Sequence, residues 1–132
     1  MKSTYAAMLV VVLFLGAGCS GLQLNNAKTT KTPSVSDLPK GQITIFVGQD
    51  CPHCKTIENW AKQKKADQKL PIIFKEIFND RINAALMIDA AKHCNIPLEI
   101  AGVPLLWDGQ QCRSTDEQIL KYLQAELLKM DL

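Results

Sequence analysis

The sequence predicts one small α/β domain over residues 42–132, a four-stranded mixed sheet with helices on both faces. Three observations carry this reading. Apolar, β-branched runs alternate with segments of helical spacing in the order β-α-β-α-β-β-α. The last two strands are joined by a short Asp-Gly turn, which makes them antiparallel, whereas the β-α steps before them imply parallel pairing. A chain of 132 residues, 47% apolar and 21% charged, suits one globular domain with processing segments and leaves no room for a second.

The N-terminus is such a segment. Lys2 is followed by an uncharged, mostly apolar stretch from Tyr5 to Gly18. That is shorter than the roughly 20 residues a helix needs to span a bilayer, and it ends in small residues as a secretory signal does. Residues 1–18 therefore read as a signal peptide. The run Leu15-Gly16-Ala17-Gly18-Cys19-Ser20 resembles the lipobox of bacterial lipoproteins, with Leu15 one position further from the cysteine than usual. The resemblance implies cleavage before Cys19 and a diacylglycerol on its sulfur. An ordinary signal or an uncleaved anchor is the alternative, and all three place the domain outside the cytoplasm. The lipoprotein reading puts it in a bacterial cell envelope, held at the membrane and facing the periplasm or the exterior. Residues 19–41, rich in Thr, Ser, Asn and Pro without periodicity, read as the lipidated cysteine and a flexible tether.

From Gln42 the pattern changes. Ile43-Thr44-Ile45-Phe46-Val47 reads as a buried strand ending at Gly48. Cys51-Pro52-His53-Cys54 follows, leading into a helix with Ile57, Trp60 and Ala61 inward; Pro52 suits the first helical position, where its missing N–H costs nothing. Pro71 introduces a second strand, Ile72 to Phe78. Residues Arg81 to Cys94 form the next helix, with Ala84, Met87, Ile88, Ala91 and Cys94 along one face. After Pro97, Val103 to Trp107, Asp108-Gly109 and Gln110 to Arg113 read as a hairpin with a two-residue turn. Ser114 with Glu117 forms a capping box for a last helix that turns Ile119, Leu120, Leu123 and Leu127 inward.

Charge is uninformative about partners. A formal net charge of +2 with scattered lysines gives no case for nucleic acid, and Lys62, Lys64 and Lys65 read as a solvated helix face. The cysteines are more telling. Five are present: Cys19, Cys51, Cys54, Cys94 and Cys112. With Cys19 lipidated, four remain in a compartment that permits disulfides.

A Cys-x-x-Cys pair is a redox pair, half a zinc site or a coincidence. A structural zinc site needs two further ligands at short spacing, and His93, Cys94 and Cys112 do not form such a half-site. The motif lies between a strand and the first turn of a helix, where free backbone N–H groups and the helix dipole stabilise a thiolate. Redox chemistry is therefore the reading, with no metal and no cofactor beyond the Cys51–Cys54 disulfide. Cys51, at the helix terminus, is the attacking thiol, and Cys54, one turn in, the resolving one. His53 donates to the Cys51 thiolate or places partial positive charge beside it, which makes the disulfide more oxidising.

Strand, Cys-Pro-His-Cys, helix and the later Gly102-Val103-Pro104 together resemble the thioredoxin superfamily over residues 42 to 130. The short element order is closest to the glutaredoxin-like branch, while Cys-Pro-His-Cys is similar to the site of periplasmic DsbA-type oxidants. The resemblance implies a thioredoxin-like fold, a cis bond before Pro104 opposite the cysteines, and backbone hydrogen bonds from Val103 to substrate. Glutaredoxins usually carry a Gly-Gly segment and an acidic residue near the last helix for glutathione; here that stretch is Cys112-Arg113-Ser114-Thr115-Asp116. Glutathione is thus a doubtful partner, with Asp116 able to keep part of that role. The helical insertion of DsbA-type oxidants is absent, and the first strand has no acidic residue behind the resolving cysteine.

Cys94 and Cys112 fall at one edge of this topology, where a disulfide is feasible; Cys94 as a small buried hydrophobe is the alternative. Trp60, Trp107 and Met87 read as packing. The expected function is thiol–disulfide exchange with protein thiols through Cys51 and Cys54, outside the cytoplasm. A reductase fed by a membrane redox partner is the runner-up within that class. A copper- or zinc-binding chaperone using the same thiols is the alternative from another class.

Overall fold

The computed structural model describes residues 31–132. The expected signal peptide and Cys19 lie outside the described residues. Within them, β1 (Ile43–Val47) leads to α1 (Pro52–Lys64), a short α2 (Ala66–Lys69) and β2 (Ile72–Glu76). Then come α3 (Arg81–His93), the hairpin β3 (Leu105–Trp107) and β4 (Cys112–Arg113), and α4 (Asp116–Met130). The sheet runs β2-β1-β3-β4. β1 pairs parallel to β2 from Ile43↔Ile72 to Val47↔Glu76, and antiparallel to β3 with Phe46 opposite Leu105 and Thr44 opposite Trp107. Trp107 in turn stands opposite Cys112. This is the α/β thioredoxin-like architecture, and among the described residues no helix is long and apolar enough to cross a membrane.

Strand alternation divides β1 between two cores. Ile43, Ile45 and Val47 pack with Cys54, Ile57 and Ala61 of α1 and with Ile119 and Leu123 of α4. Phe46 faces the other way, with Leu105 and Trp107, onto Leu86, Met87, Ala90 and Ala91 of α3. Helices thus cover both faces. The central strand is buried along its whole length, and the hydroxyl of Thr44 is buried there with no partner among the described residues.

Several details depart from the sequence reading, and β2 ends at Glu76 rather than at Phe78. The face of α3 is rotated: Leu86 and Ala90 are buried, while Ile88 is exposed. The hairpin loop has four residues, Asp108 to Gln111, because the Asp108 carboxylate accepts the N–H groups of Gln110 and Gln111 at 2.9 and 2.7 Å and so closes a wider turn. The cap of α4 is Thr115, whose hydroxyl accepts from the Gln118 N–H at 3.2 Å, one position beyond Ser114. Finally, part of the segment assigned to a tether is docked. Val35–Asp37 forms a 3-10 turn, Val35 is buried in the α3-side core, and the Asp89 carboxylate of α3 accepts both the Val35 N–H and the Ser34 hydroxyl at 2.8 Å. Ser34 and Val35 of that segment are therefore anchored on the domain. One apolar side chain and one charge-assisted anchor suffice to order a polar stretch that composition alone marks as free.

Candidate active site

The site stands at the C-terminal end of β1. Val47 leads through Gly48, Gln49 and Asp50 to Cys51, which has extended backbone (φ −92°, ψ 107°) and serves as the N-cap of α1. Pro52 occupies the first helical turn, and no acidic residue shares it. The Cys51 sulfur accepts from the Cys54 N–H at 3.2 Å, one of the donors a helix start leaves without an intrahelical partner. Cys51 and Cys54 are joined in a disulfide with Cα atoms 5.3 Å apart. Their surroundings differ. Cys51 is half-buried at the rim, whereas Cys54 has no exposed surface and packs against Ile45, Ile57 and Ile119.

The second side of the site comes from the segment entering β3. The Val103–Pro104 bond is cis, and the Cys51 sulfur lies 3.9 Å from the Val103 carbonyl oxygen. Cys51, Pro52, Cys54, Val103 and Pro104 therefore come together from two parts of the chain. His53, on the exposed side of the first turn, directs its ring elsewhere: Nδ1 is 2.8 Å from Oδ2 of Asp116, at the start of α4. This hydrogen bond, opposed by burial and helped by the Glu117 N–H, holds the Asp116 carboxyl below its ordinary value.

A third wall was not read from the sequence. The loop after β2 is fixed by the Glu76 carboxylate, which accepts the N–H groups of Phe78 and Asn79 at 2.7 and 2.8 Å. Those donors keep its carboxyl below the ordinary value, the Asn79 N–H having the largest effect. The Asn79 side chain donates to Gln49 at 3.1 Å, tying this loop to the one that carries Cys51. The Phe78 ring is thereby laid over Gly48 and beside Val103. A Cβ at Gly48 would stand 2.5 Å from that ring and 3.0 Å from the Val103 side chain. Phe78 is 64% exposed, so it borders the site with open apolar surface. The sequence reading made Phe78 the last residue of the second strand, whereas β2 ends at Glu76 and Phe78 lies in the loop beyond it.

Cys94 and Cys112 stand apart from this group. They are bonded to each other, with Cα atoms 6.0 Å apart, joining the end of α3 to β4. Cys112 is opposite Trp107, which pairs with Thr44 near the start of β1, so this disulfide belongs to the end of the sheet away from Cys51. Among the described residues no three His, Cys, Asp or Glu side chains are grouped to hold a metal.

No family model matches the chain, and no curated protein matches it in sequence. Among solved structures, it is similar to a glutaredoxin from buckwheat crystallised as a complex with glutathione. The identity is 13% and the TM-score 0.47, over 67% of this chain and 74% of that one.

Proposed function

We propose that this protein is a thiol–disulfide oxidoreductase that exchanges disulfides with protein thiols through Cys51 and Cys54. The observation that carries this reading is the asymmetry of the pair: Cys51 caps α1 with its sulfur on the Cys54 N–H, and Cys54 is fully buried. A sulfur held on a helix N-terminus is a good leaving and attacking group, because backbone N–H groups and the helix dipole stabilise its thiolate.

The exchange follows from this geometry. A substrate thiolate attacks the Cys51 sulfur; a substrate–Cys51 bond forms, the Cys51–Cys54 bond breaks, and Cys54 leaves with the electron pair and takes up a proton. A second substrate thiolate then attacks the substrate sulfur of the mixed disulfide. Cys51 departs as a thiolate onto the Cys54 N–H. The substrate has lost two electrons and the pair has gained them, and a partner disulfide of higher potential restores the starting state. The Val103 carbonyl beside Cys51 is placed to accept a backbone N–H of an extended substrate segment. Run backwards, the same steps reduce a substrate disulfide, with a membrane redox partner as the electron source.

The proposed location is the outside of a cytoplasmic membrane, with Cys19 as the lipid anchor. Two features support it: the apolar, small-residue-ended N-terminus before Cys19, and a second disulfide, Cys94–Cys112, of a kind that persists in oxidising compartments. The deciding experiment is the equilibrium of the Cys51–Cys54 pair with glutathione redox buffers, in the wild type and in Cys51→Ser. A two-electron equilibrium that disappears in Cys51→Ser is expected. A potential near about −120 mV assigns disulfide donation, and one near about −270 mV assigns a reductase. A pair that never exchanges overturns the proposal.

A further inference from the structure

The first turns of α1 and α4 are tied at one point. His53, the residue between Pro52 and Cys54, has Nδ1 2.8 Å from Oδ2 of Asp116, and Oδ1 of Asp116 accepts the Glu117 N–H at 3.0 Å. The carboxylate is thus fixed on its own helix, and the imidazole is fixed on the carboxylate. The Cys51 sulfur has only a backbone donor, the Cys54 N–H, among the described residues. Cys-x-x-Cys potentials respond to donors and positive charge next to the attacking sulfur, since these stabilise the reduced form. The side chain best placed to supply both is turned toward a carboxylate instead.

We propose that Asp116 is a positioning residue that holds His53 off Cys51 and thereby keeps the Cys51–Cys54 disulfide less oxidising than its Cys-Pro-His-Cys motif would otherwise be. The proposal rests on the redox reading of the site.

The sign follows from counting charge. With Asp116 ionised, the His53–Asp116 pair is neutral if the imidazole is protonated and negative if it is not. Without the carboxylate, the same position is positive or neutral. Removing the negative charge therefore makes the position one unit more positive in either protonation state of the imidazole. It also frees Nδ1 to turn toward a Cys51 thiolate. The freed imidazole, as a donor or a positive charge beside the Cys51 thiolate, is what favours the reduced pair. The effect is modest, because the His53 and Asp116 side chains are 70% and 31% exposed and water screens them.

The test uses the full chain, with reduction potentials measured against glutathione redox buffers at one pH. Asp116→Asn removes the charge with little change of shape, and Thr115 remains as the α4 cap. In Asp116→Asn the equilibrium constant for reduction of the pair should rise about two- to fivefold. Asp116→Glu, which keeps a carboxylate, should stay nearer to the wild type. In a His53→Ala background, Asp116→Asn should change the constant by less than about 1.5-fold, because the effect passes through the imidazole. An unchanged or lowered constant in Asp116→Asn overturns the proposal, as does an equal shift with and without His53, which would mark a direct charge effect. A wild-type pair that does not equilibrate with glutathione buffer at all overturns the redox reading and this inference with it. Normal wild-type exchange with an unresponsive Asp116→Asn removes this inference alone.

Discussion

The backbone N–H of Cys54 donates to the sulfur of Cys51 at 3.2 Å, so the two halves of the disulfide are also donor and acceptor of the cap that starts α1. Reduction leaves that contact in place and strengthens it, since a thiolate is a better acceptor than a disulfide sulfur. Cys54, fully buried in the same core as Ile45 and Ile119, presents no surface to a bulky substrate. Cys54→Ala should therefore accumulate a covalent mixed disulfide at Cys51 when presented with an oxidised protein substrate. Cys51→Ala should form none and should lower exchange to the background rate. Non-reducing electrophoresis followed by mass spectrometry of the adduct checks this; an adduct on Cys54 in the Cys51→Ala protein would reverse the assigned roles.

The Cys94–Cys112 disulfide has a different task. It spans 18 residues and ties α3 to the two-residue edge strand β4, which has little pairing of its own. Closing a loop of that size in the unfolded chain is worth about 3 kcal/mol. The double substitution Cys94→Ala with Cys112→Ala should lower the unfolding free energy by about that amount. It should leave the potential of the Cys51–Cys54 pair unchanged, because the two disulfides belong to opposite ends of the sheet. Urea unfolding of the oxidised proteins reads the first quantity and a glutathione equilibrium the second.

Local features of the sequence were enough to place Cys51 and Pro52 at a helix start, because a β-branched run, a proline and helical spacing all agree there. The β-branched and aromatic run Ile43 to Val47 and the Asp-Gly pair likewise led to a mixed sheet with a terminal hairpin. What escaped was set by partners distant in the chain. The docking of Val35 depends on Asp89, 54 residues later, and the orientation of His53 depends on Asp116, 63 residues later. Smaller shifts have near neighbours as their cause. Both Ser114 and Thr115 are competent caps, and the reciprocal partner is Gln118, whose Oε1 accepts the Ser114 N–H at 3.3 Å. Along α3, Ile88 and Leu86 are equally apolar, and the orientation of the helix against Phe46 and Leu105 decides between them.

Thr44 sits in the centre of the sheet with no exposed surface, and its hydroxyl has no partner among the described residues. A buried hydroxyl without a hydrogen bond carries a desolvation penalty of about 1–3 kcal/mol. Valine has nearly the same shape and a stronger preference for strands. Thr44→Val should therefore stabilise the protein by about 1 kcal/mol, read as a higher urea midpoint at unchanged slope. A lower midpoint would mean that the hydroxyl is hydrogen-bonded in solution.

The Val35 turn should come loose in acid. The Asp89 carboxyl lies below its ordinary value, mainly through the Val35 N–H, with burial opposing and the Ser34 hydroxyl, His93 and Lys92 assisting. For a carboxyl lowered on folding, the stabilisation is complete above the unfolded-state value and is lost as pH falls through the folded one. Hydrogen exchange at the Val35 amide should be slow near neutrality, and its protection should fall with pH only below the ordinary aspartate value of 3.8. Asp89→Ala should cost about 1 kcal/mol at neutral pH, discounted for partial solvent access, and the difference from wild type should shrink in acid. Protection that is independent of both pH and Asp89 would show that Val35 burial alone holds the turn.

Phe78 offers a way to separate binding from redox chemistry. Its ring lies over Gly48, where the Val103 side chain also approaches, two residues from the loop position that leads into Cys51, and the residue is 64% exposed. An unfolded protein thiol reaching Cys51 would cover part of that ring, and burying even half of a Phe side chain is worth about 1 kcal/mol. Phe78→Ala should accordingly reduce kcat/KM for a reduced, unfolded protein substrate by about threefold to tenfold. Its rate with a small dithiol, which offers the ring little apolar surface, should not change. Neither should the reduction potential, since no donor or charge at Cys51 is altered. Stability should change by less than about 0.5 kcal/mol, as for most exposed positions. Equal losses with the small dithiol and the protein would instead mean that the ring holds Val103 or Gly48 in place for the chemistry itself. Gly48→Ala then distinguishes the two roles, because its Cβ displaces the ring without removing it. Retained activity on the unfolded protein in Gly48→Ala, with loss in Phe78→Ala, assigns the ring to substrate contact.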